Sequence, residues 1–246
     1  MLDQSNAVIL ITGDDGERGL DGAPGIDGVN SPDPAPGTGQ PGTPGGCAKK
    51  DWFGKCTRCT PAGNGTEGAS GTRAGNGFSG GNGGTAPDFT LRVDTFSIAP
   101  GKALTILSLG GRGGDGGAGG AGGSGAVGGD AGNNIEACIG KVVPAQPGNG
   151  GNAGSGGNGG NAGSGGDGGR VNILYGNANQ PEIVPGSRGG DAGIPGQGGV
   201  PGQPGKGGMY QGEGQAPSGR AGAIGGGGNG ASPGSNGVVT IGKIGE

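Results

Sequence analysis

The chain has 246 residues, of which 76 are Gly and 18 are Pro, with 28% hydrophobic and 3% aromatic residues, and a conventional side-chain core for that length cannot be assembled from such a composition. A formal net charge of −4 leaves no basic stripe to neutralise phosphates, which excludes a nucleic-acid partner. No run reaches the ~18 consecutive apolar residues of a membrane span.

In chain order, the first element is a predicted strand inside residues 1–12. Ala7, Val8, Ile9, Leu10 and Ile11 form the most apolar β-branched stretch of the first 80 residues. Met1 to Asn6 ahead of it carries an acid and no Lys or Arg, so no signal peptide is visible. Residues 13–46 read as a collagen-like and Pro/Gly-rich spacer: Gly13, Gly16, Gly19, Gly22, Gly25 and Gly28 are in strict phase, and Ser31-Pro32-Asp33-Pro34-Ala35-Pro36 follows. A strand on such a spacer has the form of a donor to the sheet edge of another molecule, and pairing with its own sheet is the alternative.

Residues 47–62 form a loop bounded by cysteines. Cys47, Cys56, Cys59 and Cys138 suit disulfides in an oxidising compartment or a four-thiolate metal site. Disulfides are favoured, because a structural zinc site usually carries two CxxC knuckles and only Cys56-Thr57-Arg58-Cys59 has that spacing. No metal and no cofactor are therefore expected, and one bond should join Cys138 to the 47–59 cluster. Trp52 and Phe53, set among lysines between Cys47 and Cys56, are either a recognition tip or a plug on a sheet, and Tyr210 carries the same ambiguity.

Residues 63–246 read as one glycine-rich bundle with interspersed strands. The in-phase runs are 65–83, 110–128, 148–169, 190–208 and 219–237, with Ala74 and Ala231 as exceptions. Period three is the turn of a polyproline II helix, which makes no internal hydrogen bonds and must find backbone partners in neighbouring helices. A residue without Cβ allows that approach. The runs beginning at Gly110 and Gly148 have the form Gly-Gly-X, with Arg112, Asp115, Ser124, Asn149, Asn158 and Asp167 among the X residues. Such a helix has two packable edges and one polar edge, the pattern of a layered sandwich. Strands are predicted at 88–98, 103–109, 138–143, 170–175 and 238–241, gathered into one small sheet at an end of the bundle. The fold class expected is mainly irregular/β, a polyglycine-II bundle with no α-helical core. A collagen triple helix is disfavoured, since 18 Pro in 246 residues is well below roughly 15–20%.

Gly-x-Gly-x-x-Gly matches arise by composition and none joins a strand to a helix. No P-loop ends correctly after Gly101-Lys102 or Gly205-Lys206. With no His and dispersed acids, enzymatic chemistry is not expected. The tandem repeats Gly110-Gly111-Arg112-Gly113-Gly114-Asp115 and Gly156-Gly157-Asn158-Gly159-Gly160-Asn161 resemble the polyglycine-II sandwich proteins, which include springtail antifreeze proteins and the tip adhesins of T-even-like phage tail fibres. The resemblance covers roughly residues 65–237 and implies a fold more than a function. The expected function is an extracellular, self-associating filament subunit. The alternatives are a phage or cell-surface adhesin binding a receptor on a bacterial surface, which would place it on a virion, and an ice-binding protein.

Overall fold

The computed structural model describes residues 7–16, 19, 22, 38–95, 103–176 and 183–244. Eight strands are described: β1 (Ala7–Thr12), β2 (Gly46–Lys50), β3 (Cys56–Thr60), β4 (Phe89–Val93), β5 (Leu104–Leu109), β6 (Val171–Tyr175), β7 (Ile183–Arg188) and β8 (Val239–Lys243). One 3-10 turn spans Glu136–Cys138, and no α-helix occurs among the described residues. Between the strands run extended glycine-rich segments, here helices A (within 13–45), B (63–87), C (110–134), D (145–170), E (189–208) and F (216–238).

Backbone hydrogen bonds repeat at every third residue and order these helices into two layers. Gly16, Gly19 and Gly22 of helix A donate to the carbonyls of Arg112, Asp115 and Ala118 on helix C. Gly113, Gly116 and Gly119 of C donate to Asp191, Ile194 and Gln197 on E. Donor and acceptor numbers rise together, so A, C and E form one parallel layer. The second layer is B–D–F, built the same way: Gly68 and Gly71 donate to Asn149 and Asn152, and Gly156 and Gly159 donate to Ala223 and Gly226. Between layers the numbers run in opposite senses. Gly114 and Gly117 donate to Gly81 and Phe78, and Gly157 and Gly160 donate to Gly120 and Gly117. The two layers are antiparallel.

The number of bare edges follows from this geometry. A Cβ on Gly113 of helix C would strike the carbonyl oxygen of Gly163 on D, and one on Gly111 would strike that of Asp14 on A. On helix D, a Cβ on Gly157 would strike Gly75 of B, and one on Gly156 would strike Gly199 of E. C and D are the central helices of their layers and each is enclosed on two glycine edges. Helices at the margins present one such edge along their length, helix E adding Gly189, Gly198 and Gly207 against F, and they carry Pro41, Pro44, Pro195, Pro201 and Pro204 at other positions of the triplet. Proline has no N–H to leave unpaired at a margin.

The X residues do more than face water. Asn152, Ser155, Asn158, Asn161 and Asp167 of helix D accept the N–H groups of Arg220, Ala223, Gly226, Asn229 and Ser235 on F. Asn64, Ser70, Asn76 and Asn82 of helix B, and Asp88 just after it, accept those of Gln146, Asn152, Asn158, Ser164 and Arg170 on D. Polyproline II geometry points one amide per turn outward. A short side chain with an oxygen on the adjacent helix satisfies it, which is why these positions are Asn, Ser and Asp.

Each layer runs into its own three-stranded parallel sheet, β1-β5-β7 for A–C–E and β4-β6-β8 for B–D–F. The sheets face each other over Ile106, Val171 and Ile173, which are fully buried, with Ile9, Ile11, Phe89, Leu91 and Ile241 packed around them. Where strand gives way to helix, the Ser108 hydroxyl accepts from Gly169 N–H at 3.0 Å and the Ser187 hydroxyl donates to the Gly169 carbonyl at 2.7 Å. Both serines are buried.

Several expectations are corrected. The glycines at 13–22 and 39–45 are not a spacer, because they hydrogen-bond to helix C along its length. β1 is not held apart for donation, because Ala7 to Thr12 pair in parallel with Leu104 to Leu109 of the same chain. Among the described residues there are two three-stranded sheets and a hairpin in place of one sheet. Cys138 to Val143 make a 3-10 and tight turn, with Gly140 at φ +79, so that segment is not a strand. Met1 to Asn6, Gly25, Gly28, the segment from Ser31 to Pro36, and Phe96 to Ile98 lie outside the described residues.

Candidate recognition tip

Helices A, C and E all run away from the sheets, so the connections leaving them gather at the opposite end. These are the β2–β3 hairpin, the 135–144 turn and the 209–215 turn. Asn134 ties them together. Its side-chain oxygen accepts from Ala62 N–H at 2.9 Å, its N–H donates to Gln211 Oε1 at 2.8 Å, and its carbonyl accepts from Gln211 Nε2 at 2.7 Å. The third turn reverses on Gly212 and Gly214, at φ +96 and +105, where only glycine is unstrained. Tyr210 N–H closes it on Gly214 at 3.0 Å.

The hairpin is stapled by two disulfides, Cys47–Cys56 within it and Cys59–Cys138 to the neighbouring turn, and no cysteine is free. Lys141 Nζ adds a hydrogen bond to the Cys56 carbonyl at 3.2 Å. Beyond the staple, Asp51 fastens the loop by accepting Lys55 N–H on Oδ1 at 2.8 Å, and Gly54 turns at φ +78. Trp52 and Phe53 project from this loop with 96% and 91% of their surface exposed. They are not a plug on a sheet. Ile139, Val143 and Met209 are also exposed at the tip. Beside them a cleft of about 450 Å³ is lined by Asn134, Ile139, Val142, Pro144, Tyr210 and Gln211.

Of the residues singled out from sequence, the four cysteines and Trp52, Phe53 and Tyr210 share this end, while Ala7, Val8, Ile9, Leu10 and Ile11 lie at the other. Sequence reasoning missed Asn134, Gln211, Ile139 and Val143. A lone Asn in a glycine-rich run and a short apolar stretch after a cysteine carry no signal until the turns are known to share an end.

No family model and no curated protein matches this sequence. Among solved structures, the chain is similar to the springtail antifreeze protein from Granisotoma rainieri, described as a nine-helix polyproline type II bundle, at 22% identity over 88% of this chain and 93% of the other, with a TM-score of 0.11. A score of that size transfers neither helix arrangement nor function. No helix among the described residues is long and apolar enough to cross a membrane.

Proposed function

We propose that this is an extracellular structural protein that works as an adhesive display module, in which a stiff glycine sandwich holds a recognition tip for a cell-surface receptor. The observation that carries the reading is the almost complete exposure of Trp52 and Phe53 on a loop held by two disulfides. Leaving two large aromatics in water lacks a folding benefit, whereas aromatic anchors on a rigid loop bind without losing much conformational entropy. The disulfides fit an oxidising, extracellular setting. The test is binding of labelled full-length chain to a panel of intact bacterial and animal cells. Replacing Trp52 and Phe53 together with Ala should lower binding by about 30-fold, as expected for a hot spot of ~2 kcal/mol, without moving the thermal midpoint. Unchanged binding would refute the assignment to this loop.

A specific surface favours self-association as a second reading. The outer face of sheet β1-β5-β7 carries exposed Val8, Leu10 and Val184 beside half-buried Leu107 and Leu109. The outer face of β4-β6-β8 is mainly polar, with Thr90, Arg92, Asn172 and Thr240 around a single half-buried Leu174. A face so much more apolar on one sheet than on the other is the feature expected of a surface that meets another copy or an anchoring partner. Sedimentation of wild type and Leu10→Asp separates this reading from a monomeric display module.

A further inference from the structure

The four sulfurs at the tip are arranged more tightly than two disulfides need. Cys56 Sγ lies 3.6 Å from Cys59 Sγ and 3.6 Å from Cys138 Sγ, although neither is its disulfide partner. The sulfurs of Cys56, Cys59 and Cys138 all fall within 4.8 Å of one another, and Cys47 is one bond away from Cys56. A tetrahedral zinc with Zn–S bonds of ~2.3 Å has sulfurs about 3.75 Å apart along each edge. Two of the six edges, Cys56–Cys59 and Cys56–Cys138, are already near that separation, and two more are the S–S bonds that reduction opens.

The hairpin is irregular in the way that makes this so. On a regular strand, residues three apart point to opposite faces, and Cys56 and Cys59 would diverge. Here the β2–β3 register slips between Cys47 and Lys49 and again between Lys49 and Lys50, and the two sulfurs converge. Disulfides to two different partners do not require that convergence. A shared metal does.

Charge agrees. A zinc tetrathiolate carries a net −2, and the hairpin holds Lys49, Lys50, Lys55 and Arg58 against the single acid Asp51, with Lys141 hydrogen-bonded to the Cys56 carbonyl. Cations beside thiols favour the thiolate that binds metal. Cys56 and Cys138 are buried, which shields the centre from exchange.

We propose that Cys47, Cys56, Cys59 and Cys138 form a four-thiolate zinc site whenever the chain is reduced, so that the tip has two closed states, zinc-bound and doubly disulfide-bonded. The interconversion balances. A dithiol or phosphine reductant supplies two electrons and two protons to each disulfide, giving four thiols. One Zn²⁺ then displaces four protons as four Zn–S bonds form. On oxidation by a disulfide-class oxidant the zinc leaves, and four electrons pass to the oxidant as the two S–S bonds form. A chain synthesised in a reducing compartment could in this way hold its tip folded before meeting an oxidising one.

The experiment uses the full chain, reduced with a phosphine under nitrogen and titrated with zinc chloride against a chromophoric chelator. Thiol accessibility to a maleimide is read by mass spectrometry, and cobalt(II) is substituted to report tetrahedral thiolate coordination. The expected result is one zinc per chain, four thiols protected only when zinc is present, and a cobalt spectrum of tetrahedral tetrathiolate type. Cys138→Ser should lose stoichiometric binding and expose the remaining thiols. Cys138 is supplied from a segment 79 residues beyond Cys59, so its requirement separates the folded tip from adventitious binding by the nearby cysteines. Absence of stoichiometric zinc, labelling of all four thiols in the presence of zinc, an octahedral cobalt spectrum, or unchanged zinc binding by Cys138→Ser would each overturn the proposal.

Discussion

Replacing Gly157 with Val tests whether backbone-to-backbone packing holds the molecule together. Gly157 sits at mid-length in helix D, one of the two enclosed helices, and a Cβ there would fall on the carbonyl group of Gly75 in helix B. Carbonyl oxygens in a hydrogen-bonded layer have no rotamer to change, so the helices must part. Three hydrogen bonds meet at this point: Gly157 N–H to Gly120 at 3.0 Å, Gly199 N–H to Gly157 at 2.8 Å, and Gly77 N–H to Asn158 at 2.8 Å. At about 1 kcal/mol net for each, the loss is roughly 3 kcal/mol, or a fall of about 6–12 °C in the thermal midpoint for a chain of this size. Two controls sharpen the test. Asn158→Ser should change little, because Ser155 already performs the same task with its hydroxyl 3.1 Å from Ala223 N. Gly230→Ala should raise stability by about 0.4–1 kcal/mol, because its Cβ meets nothing within 4 Å and its φ is not positive, leaving only the restricted unfolded chain as the effect. Differential scanning calorimetry reads all three. Equal midpoints for Gly157→Val and Gly230→Ala would refute the packing argument.

Three further outcomes follow from the tip and the sheets. Removing the Cys59–Cys138 bond, which closes 79 residues, should cost about 4.5 kcal/mol in the chain-entropy model, against about 2.6 kcal/mol for the Cys47–Cys56 bond, which closes 9; paired Cys→Ala variants compared by chemical denaturation check the order. Asn134→Leu should loosen the hairpin while sparing the 209–215 turn and the sheets, since only its side-chain oxygen, which accepts from Ala62 N–H, is lost and the Gln211 bonds go to its backbone N–H and carbonyl; hydrogen exchange should rise at 47–62 and stay unchanged at 209–215, β5 and β6. Leu10→Asp should leave the fold intact, because Leu10 is exposed, and should abolish any concentration-dependent association seen by sedimentation.

Much of this architecture is legible in the sequence because period three is unambiguous and because Gly-Gly-X differs from Gly-X-X. The doubled glycines of 110–130 and 148–169 mark the two central helices, which need clearance on two edges. Other features are hidden for physical reasons. β7 reads Ile-Val-Pro-Gly-Ser-Arg, and its Pro185 and Gly186 look like breakers. Both are tolerated because, among the described residues, β7 has only β5 as a hydrogen-bonded neighbour, and an edge strand leaves one side free. β2 and β3, with sequences Gly-Cys-Ala-Lys-Lys and Cys-Thr-Arg-Cys-Thr, have little apolar content because disulfides hold them in place of a core. The polar X residues were legible as outward-facing, but their role as acceptors was not. It depends on which helix lies alongside, as the six-residue spacing of Asn64, Ser70, Asn76 and Asn82 shows once paired with helix D.

The placement of the tip follows from parity. Each glycine run crosses the length of the sandwich, about 75 Å for 25 residues at ~3.1 Å each. Strands β1, β5 and β7 open the first, third and fifth runs, and β4, β6 and β8 close the second, fourth and sixth. With six crossings, every strand of the two parallel sheets falls at one end. The connections after the first, third and fifth runs, which contain Trp52, Cys138 and Tyr210, must then fall at the other. Residues separated by more than 150 positions are brought to the same end by counting crossings, and the Cys59–Cys138 bond and the Asn134 contacts then fasten connections that already lie together. The glycine repeat sets the distance between the two ends, and the connections are free to vary in sequence because the backbone ladder, not their own contacts, fixes where they stand. A recognition surface built on such turns can change its side chains at small cost to the fold, provided the cysteine staple and Asn134 remain.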